Sequence, residues 1–415
     1  MLLVTHKNNS FGLFCIGLMK LNGLMKKNQV ISILLTLSVS GCTVVSGIAE
    51  STRQLKAPTK WQTNISNELN VEAQLGDWRL IIEDKGLQQL VASAVANNYQ
   101  LNAKSISLAI ARENLNISET SDYPQLSLSV GHSRQKQVSS STTNYNNDAN
   151  ITAQLSYEVD LWGRLSDEQQ QSELTFQAIS AEYLHAKNQL IADVVSAWYG
   201  VIENTEMLNL YQERASNLQN NLATIKASYQ LGLSEALDVY LTQNDVSREL
   251  ARVAEQKQVL EQHKRSLELL LGEYPTGNTS FSSSQMPELS DVLITGAPSE
   301  VLANNLNIQS AWLDLLSADA GLAVSHKQRF PSFNLTANSG DVSDELGNLL
   351  DGGALAWSIA GSITMPLFNA GRLKSLEQQA KLTVRKKEQE YLALVYTTFS
   401  DIESKLSNHN ALKTR

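Results

Sequence analysis

Side chains that could carry chemistry are few in this sequence, and their spacing matches no catalytic arrangement. Asp160 ends a predicted strand beside Trp162 and Arg164, where a helix-capping or ion-pair role is favoured over a catalytic one. Neither a nucleophile elbow nor a phosphate-binding glycine loop occurs. The histidines share no metal-ligand spacing and lie at His6, His132, His185, His263, His326 and His409. The residues therefore predict neither an enzyme nor a bound metal or cofactor.

Cys42 is the residue whose surroundings predict a covalent modification. The apolar run Val30–Val39 follows Lys26 and Lys27 and is too short to span a bilayer as a permanent helix. It leads into Val39-Ser40-Gly41-Cys42, where small residues directly before a cysteine resemble a bacterial lipobox. Cleavage at such a site leaves the cysteine to carry lipid, so we expect a lipid on Cys42. A plain signal peptide with an incidental cysteine is the alternative.

The leader is predicted to cover residues 1–41. Met25 is a second candidate start, which makes residues 1–24 consistent with an over-extended gene start. Thr43 follows the cysteine in place of an aspartate, which resembles lipoproteins that are sent on to the outer membrane. Cys15 and Cys42 are the only cysteines, so the body of the mature chain has no disulfide and no cysteine-based metal site.

The composition is that of a folded, helix-rich protein. The chain has 415 residues, of which 42% are hydrophobic and 18% charged, with seven prolines. Its formal net charge is −9. A surface that binds nucleic acid needs a basic excess, so we expect no nucleic-acid partner.

The longest patterned stretch runs from Gly163 to Gly232 and predicts one continuous helix. At 1.5 Å per residue, about 70 residues would extend about 100 Å. A return helix follows to about Leu271, so we predict an antiparallel helical hairpin over 163–271 with its tip at 231–234. Taken alone, an ordinary coiled-coil rod would also fit. The apolar seam recurs three and four apart, with Thr205 as a polar interruption, at Ile191, Val194, Trp198, Val201, Leu208, Tyr211, Ala215, Leu218, Leu222, Ile225 and Tyr229.

Before the long helix the hydrophobic period changes from 3.6 to 2. Apolar residues alternate with Ser, Gly, Thr and Gln over 126–131 and again over 151–157, separated by the polar stretch 139–150. Two strands of about ten residues joined by a polar loop resemble a hairpin of a transmembrane β-barrel, here 125–159. The small neutral polar face suits a water-filled pore; a hairpin of a soluble sandwich is the alternative.

The second half of the chain repeats the first. Phe330-Pro331 matches Tyr123-Pro124 at a spacing of 207 residues, and Gly371-Arg372-Leu373 matches Gly163-Arg164-Leu165 at 208. A second β-hairpin is predicted at 332–365 and a second long helix at 370–415. The predicted divisions are a leader (1–41), an N-terminal arm (42–84) with a short helix near 65–75, a first repeat (85–271), a linker (272–296) and a second repeat (297–415).

The repeat predicts a mainly helical protein with a membrane β-barrel part. Four strands cannot close a barrel, and an open edge in lipid leaves backbone groups unpaired. Three copies would supply twelve strands, which lies in the known range of outer-membrane barrels. The same symmetry would gather the long helical hairpins into a second, helical barrel, so that the assembly forms one continuous tube.

Four motifs together resemble the TolC/NodT-type outer membrane efflux lipoproteins over about residues 43–415. They are the lipobox, Tyr157–Leu165, Leu231–Val239 and Pro366–Leu373. The resemblance implies a homotrimeric channel in the bacterial outer membrane, anchored by lipid and extending into the periplasm. It also implies two partners, a periplasmic adaptor (membrane fusion) protein and, through it, an inner-membrane transporter.

The same resemblance implies roles for particular residues. Leu231, Gly232, Leu233 and Ser234 would form the tip that docks with the adaptor; a plain tight turn is the alternative. The residues of the barrel–helix junctions would be Asp160, Trp162, Gly163, Arg164, Pro366, Gly371 and Arg372.

The chain departs from the family pattern at its C-terminus. By the repeat spacing, Arg415 corresponds to Met207, midway along the first long helix. The second hairpin then lacks its tip and its return helix, which in the family carry the charged residues that shut the periplasmic entrance. The sequence therefore predicts a fragment, a truncated gene product or a non-functional remnant.

Passive conduction is the function that these features predict. The leading hypothesis is the exit duct of a tripartite efflux pump for small toxic compounds or drugs. The alternatives are a duct for type I secretion of proteins or peptides, and a structural coiled-coil lipoprotein without a pore.

Overall fold

The computed structural model describes residues 47–49, 52, 58, 61–63, 84–278, 297–343 and 355–413. The leader, Cys42, the helix predicted near 65–75 and most of the linker lie outside the described residues. The helices are α1 (Lys85–Asn97), α2 (Tyr99–Glu119), α3 (Arg164–Gln230), α4 (Ala236–Leu270), α5 (Pro298–Asn304), α6 (Leu306–Lys327) and α7 (Arg372–Lys413). The strands are β1 (Gln125–Val138), β2 (Thr143–Val159), β3 (Ser332–Ser343) and β4 (Ala356–Thr364). This order confirms the predicted fold class of long helices with four strands per chain.

The chain divides into two compact units. Among the described residues, the sheet-bearing unit contains those of Asp122–Gln171 and Leu315–Gln389 together with 47–49 and 52. The helical unit contains the described residues of Lys56–Ser121, Ser172–Asp314 and Glu390–Arg415.

The sheet-bearing unit is built on one antiparallel sheet in the order β1-β2-β3-β4. Neighbours in the chain are therefore neighbours in the sheet, as short connections favour. Within the part of the chain that the structure describes, the outer edges of β1 and β4 have no strand partner. A single copy thus presents two rows of unpaired backbone groups.

The β1–β2 connection is shorter than the sequence predicted. The polar stretch 139–150 was predicted to be a loop, but β2 already begins at Thr143, and β1 and β2 contain 14 and 17 residues. Paired positions such as Gln135 with Asn146 continue the ladder beyond the apolar residues. The prediction was wrong because backbone pairing does not require apolar side chains, so the ladder outlasts the alternating pattern.

The core of the helical unit lies where α1 and α2 pack on α3 and α4. Four side chains at its centre are fully buried, Leu87, Ala94, Val194 and Leu267, and Trp198 is almost as deep. Two residues set the geometry of the short helices. Asp84 caps α1 by accepting from the Gly86 and Leu87 amides at 2.8 and 3.1 Å.

Asn98 joins α2 to the end of α4. Its side-chain oxygen accepts from the Leu101 amide at 2.9 Å, which caps α2, and its amide nitrogen donates to the Leu270 carbonyl at 3.0 Å. Gly272 then turns the chain away from α4 with a φ of 75°. Glu268, which is fully buried, accepts from the Gly277 amide at 2.7 Å. The first residues of the predicted linker are therefore held against α4.

The predicted helical hairpin is present as α3, a turn and α4. The seam residues Val194, Trp198, Val201 and Ala215 are buried. Thr205, the polar interruption, donates its hydroxyl to the Val201 carbonyl at 2.7 Å, which satisfies it within the helix. Tyr229 was assigned to the seam, but it is half exposed, because it lies in the last turn of α3 where the packing ends.

Candidate functional site

One face of the sheet is apolar and open. The strand register places one apolar row on each strand, and these rows lie side by side: Leu126, Leu128 and Val130 on β1, Ile151, Leu155 and Val159 on β2, Phe333, Leu335 and Ala337 on β3, and Trp357, Ile359 and Ile363 on β4. Leu126, Trp357 and Ile359 are 74%, 75% and 74% exposed. A soluble sandwich would cover such a face with a second layer, so this face is suited to lipid.

The opposite face carries small neutral polar residues. Ser127, Thr152, Gln154, Thr336 and Ser362 are typical, and the residues between them are Ser, Asn, Gly or Ala over the height of the apolar rows. Two charged residues lie on this face of the four strands, Asp148 near the β1–β2 connection and Glu158 at the helix end. This face can therefore contact water, and its electrostatic potential is neither strongly positive nor strongly negative.

Asp160 joins β2 to α3 as a helix cap. Its Oδ2 atom accepts from the Ser166 amide at 2.9 Å and from the Ser166 hydroxyl at 2.8 Å. Burial raises the pKa of the carboxyl, but these bonds and those from the Leu165 and Arg164 amides outweigh it, so the pKa lies below its ordinary value. The arrangement assigns Asp160 a capping role and gives it no contact suited to acid–base catalysis.

The other predicted residues of the first junction lie close to Asp160 in the chain and contact neighbouring residues. Arg164 contacts Glu158 at 2.8 Å and Glu168 at 3.1 Å. The indole nitrogen of Trp162 donates to the Pro331 carbonyl at 2.7 Å. Gly163 has a φ of 75°, a backbone region in which residues with a side chain are strained.

Lys327 completes this junction and was missed by the sequence reading. Its ammonium lies 2.6 Å from Asp167 and 3.1 Å from the Gly163 carbonyl. It therefore connects the end of α6 to the start of α3. The contact joins residues 160 apart in the chain, and no local pattern could reveal it.

The second junction also turns at a glycine; within the described residues no atom other than those of its chain neighbours lies within 4 Å of a Cβ atom placed on Gly371, whereas one on Gly163 would lie 3.1 Å from Lys327. Gly371 has a φ of 85°, and Arg372 is exposed at the start of α7. Pro366 is followed by Leu367 and Phe368, which are 88% and 90% exposed. Two large apolar side chains in water are unfavourable, so this segment is suited to contact with another apolar surface.

The turn between α3 and α4 has a helix-ending geometry that glycine favours. Gly232 has a φ of 74°, its amide donates to the Tyr229 carbonyl at 2.9 Å, and the Leu233 amide donates to the Ser228 carbonyl at 2.8 Å. Leu231 and Leu233 point into solvent and are 75% and 77% exposed. The turn thus presents two leucines at the end of a long hairpin.

Ser234, the last residue of the predicted tip, does not cap the return helix. The cap is Glu235, whose amide donates to the Asp238 carboxylate at 3.2 Å. The Ser234 hydroxyl lies instead 3.5 Å from the Ile225 carbonyl on α3.

A charged cluster between α6 and α7 was also missed. Glu377 lies 3.0 Å from the Nδ1 atom of His326 and 2.7 Å from the guanidinium of Arg329. Burial raises the pKa of Glu377, but the bonds and charges of His326 and Arg329 outweigh it and lower the pKa. In the described ranges, no group of three or more His, Cys, Asp or Glu side chains is arranged to hold a metal ion.

Among the helices that the structure describes, none combines the length and the apolar character needed to cross a bilayer.

A family model described as outer membrane efflux protein matches residues 90–273 and 297–415. The chain belongs to this family. The two matched segments fall on the two halves of the internal repeat. Membership makes the chain an outer-membrane protein and places its two-faced sheet and its helical hairpin in a family of efflux components.

Curated relatives agree with this membership. The probable efflux pump outer membrane protein TtgC of Pseudomonas putida is 27% identical over 350 residues, which cover 81% of this chain and 71% of that protein. The probable outer membrane lipoprotein SilC of Salmonella typhimurium is 25% identical over 396 residues, which cover 94% of this chain and 84% of that protein.

Solved structures share the fold. A membrane protein of Pseudomonas aeruginosa superposes with a TM-score of 0.78 at 24% identity, covering 86% of this chain and 82% of that one. The Campylobacter jejuni CmeC outer membrane channel superposes with a TM-score of 0.75 at 22% identity, covering 83% of this chain and 75% of that one.

Proposed function

We propose that this protein is the outer-membrane exit duct of a tripartite efflux pump for small toxic compounds. The observation that carries the proposal is the sheet with one open apolar face, one small neutral polar face and two edges that have no strand partner among the described residues. In lipid, each unpaired backbone group is costly, so the edges need strands from other copies. Three copies would close a twelve-stranded barrel with the polar face around water and the apolar face toward lipid.

The substrate class rests on the named relatives. Proteins similar to this chain are described as pump components for toluene and for antibiotics. We carry that class over to this chain as small apolar or amphipathic toxicants. The neutral polar face supports this assignment, because a wall without strong charge holds neither cations nor anions and lets a neutral solute diffuse.

The partners follow from the tip and from the N-terminus. The exposed Leu231 and Leu233 would pack against an adaptor protein, and an inner-membrane transporter would supply the energy. A lipid on Cys42 would hold the N-terminus at the membrane. The duct itself would be passive and would have no cofactor or catalytic step.

Planar-bilayer recording of the full chain tests the duct. We expect discrete open-channel currents, because a closed barrel with a wet interior conducts ions of both signs. A preparation that inserts as a trimer and never conducts at any voltage would overturn the proposal and favour a structural lipoprotein.

A tip variant tests the docking assignment. Leu231→Ser/Leu233→Ser should leave conductance unchanged and abolish toxicant resistance in cells that depend on this duct. Tyr99→Ser, which replaces another well-exposed apolar residue outside the tip, is the control and should keep resistance. Full resistance in the tip variant would show that Leu231–Ser234 is only a turn.

The lipid is tested by mass spectrometry of the mature protein. The parent chain should begin at Cys42 with the added mass of a lipid, and Cys42→Ala should lose both the mass and the attachment of its N-terminus. An identical mature N-terminus and fractionation in both chains would remove the lipid assignment.

A further inference from the structure

Beyond the apolar rows, β1 carries a short run of basic side chains on the lipid-facing side. His132, Arg134 and Lys136 follow Val130 at every second position, so they point to the same face as the apolar row. All three are exposed. We call His132, Arg134 and Lys136 the basic ladder.

The partner strand holds two of these cations on one aromatic ring. Tyr145 on β2 lies opposite Lys136, and the Lys136 ammonium is 5.9 Å from the centre of its ring. The Arg134 guanidinium is 5.0 Å from the same centre. Cation–π contact of this kind orients both side chains toward one small area.

The cations are confined to the lipid-facing side. At the same heights on β1, the residues on the polar face are Ser133, Gln135 and Gln137, which are uncharged. Of the acids on the four described strands, Asp148 and Glu158 lie on the polar face. Asp341 lies on the apolar face at the level of Val130, below the ladder, and is almost completely buried. In a chain of net charge −9, a local basic patch on this side alone calls for a specific partner.

The height of the ladder matches the headgroup layer of the bilayer. Helices α2, α3, α6 and α7 connect to the sheet at Gln125, Val159, Ser332 and Thr364, so under the proposed function the β1–β2 connection at the other end of β1 and β2 faces outside the cell. From Val130 to Arg134 the strand rises about 14 Å, or about 10 Å along the membrane normal at the usual barrel tilt. The polar layer on each side of the hydrocarbon core is about 5–8 Å thick, so a long basic side chain reaches it by bending back.

We propose that the basic ladder, oriented by Tyr145, binds the phosphate groups of an anionic glycolipid in the outer leaflet. The glycolipid's acyl chains would then lie along the apolar rows that continue from Val130. The partner is a lipid with phosphate at its sugar headgroup, because its chains match the apolar face and its charge matches the cations. Free phosphate offers only the second of these contacts.

The test measures binding of diphosphorylated lipid A to the purified full chain in detergent. Each cation at a membrane surface changes affinity about fivefold, so Arg134→Gln/Lys136→Gln should bind about thirtyfold more weakly. Lys226→Gln/Lys257→Gln removes the same charge from exposed positions on the helical hairpin and should bind within about twofold of the parent, because salt screens charges that are not part of the ladder. The ladder variant should still run as the same oligomer as the parent, which shows that it is folded.

Three results would overturn the proposal. Equal binding by the ladder variant and the parent would show that the cations do not contact the lipid. Equal binding of lipid A without phosphate would show that the chains alone are recognised. Displacement of lipid A by millimolar inorganic phosphate would identify free phosphate as the ligand.

The result is separable from that of the proposed function, on which the orientation of the ladder depends. The ladder variant should conduct like the parent, because the basic side chains point away from the polar face. A chain that never conducts but binds lipid A through the ladder would refute the duct and leave this proposal standing.

Discussion

Replacing Leu367 and Phe368 with serine should break the proposed trimer while leaving each copy folded. In one copy these side chains are 88% and 90% exposed at the second junction, where Met365 and Pro366 separate them from the end of β4. The matching turn of the first junction is covered by Trp162, Pro331 and Lys327 of the same chain. We infer that a neighbouring copy covers Leu367 and Phe368.

The size of the effect follows from the area that would be buried. Burying a leucine or phenylalanine side chain completely contributes about 1.5–3 kcal/mol, so the pair contributes about 4 kcal/mol at each interface. A loss of about 4 kcal/mol weakens association nearly a thousandfold per interface. Three equivalent interfaces make the loss sufficient to separate the copies at micromolar concentration.

The assay is the mass of the protein in detergent, measured by light scattering during size-exclusion chromatography. The parent should have the mass of three chains, and Leu367→Ser/Phe368→Ser the mass of one with the same helical circular dichroism. Leu231→Ser/Leu233→Ser is the matched control, because it removes two similarly exposed apolar side chains at the tip and should stay trimeric.

Two outcomes would refute this reasoning. If the Leu367/Phe368 variant keeps its trimer and its dissociation temperature, these side chains face lipid and no neighbouring copy covers them. If the tip control dissociates equally, exposure in one copy does not identify the interface.

Three further predictions concern stability. Gly272→Ala should lower the free energy of unfolding by several kcal/mol, because φ is 75° there and a Cβ atom would lie 2.5 Å from the Asn97 carbonyl oxygen. Gly232→Ala, with a φ of 74° and no atom within 4 Å, should lower it by only about 1 kcal/mol. Thermal denaturation of both variants measures the difference. Asp160→Ala should cost about 1 kcal/mol through loss of the α3 cap and Asp160→Asn less, and equal melting temperatures for parent and both variants would contradict the capping role. Since folding lowers the pKa of Glu377, its ion pairs should stabilise the folded chain above the ordinary glutamate pKa of 4.5, and this stability should be lost as pH falls through the lower folded pKa. Glu377→Gln should therefore lower the free energy of unfolding by about 1 kcal/mol at pH 7, and the difference from the parent in thermal denaturation should disappear near pH 3.

The features that the sequence predicted best are the strands and turns that depend on a local pattern of residues. The alternation around Leu126 and Ile151 predicted both strands and the side that each residue faces, because register in a two-faced sheet follows the apolar pattern. Gly163, Gly232 and Gly371 marked the turns, and all three have positive φ as their backbone conformations require.

The features that the sequence could not predict depend on distant contacts or on backbone alone. Lys327 meets Asp167, and Glu377 meets His326, only because separate helices pack together. The backbone pairing of β1 with β2 continues to Thr143 through polar residues, so apolar alternation does not predict where the strands end. Tyr229 fits the seam by spacing and is nevertheless half exposed, because it lies in the last turn of α3, beyond the packed part of the helix.

In the described part of the chain the outer edges of β1 and β4 have no strand partner, and for the proposed trimer this has a consequence for heredity. A barrel closed by three copies is shared among gene products, so one copy that cannot offer a proper edge leaves the whole ring open. In a cell that makes equal amounts of normal chain and an edge-defective chain, random assembly yields only about one intact ring in eight. Defects at these edges should therefore be dominant, whereas loss of expression of the gene should be recessive.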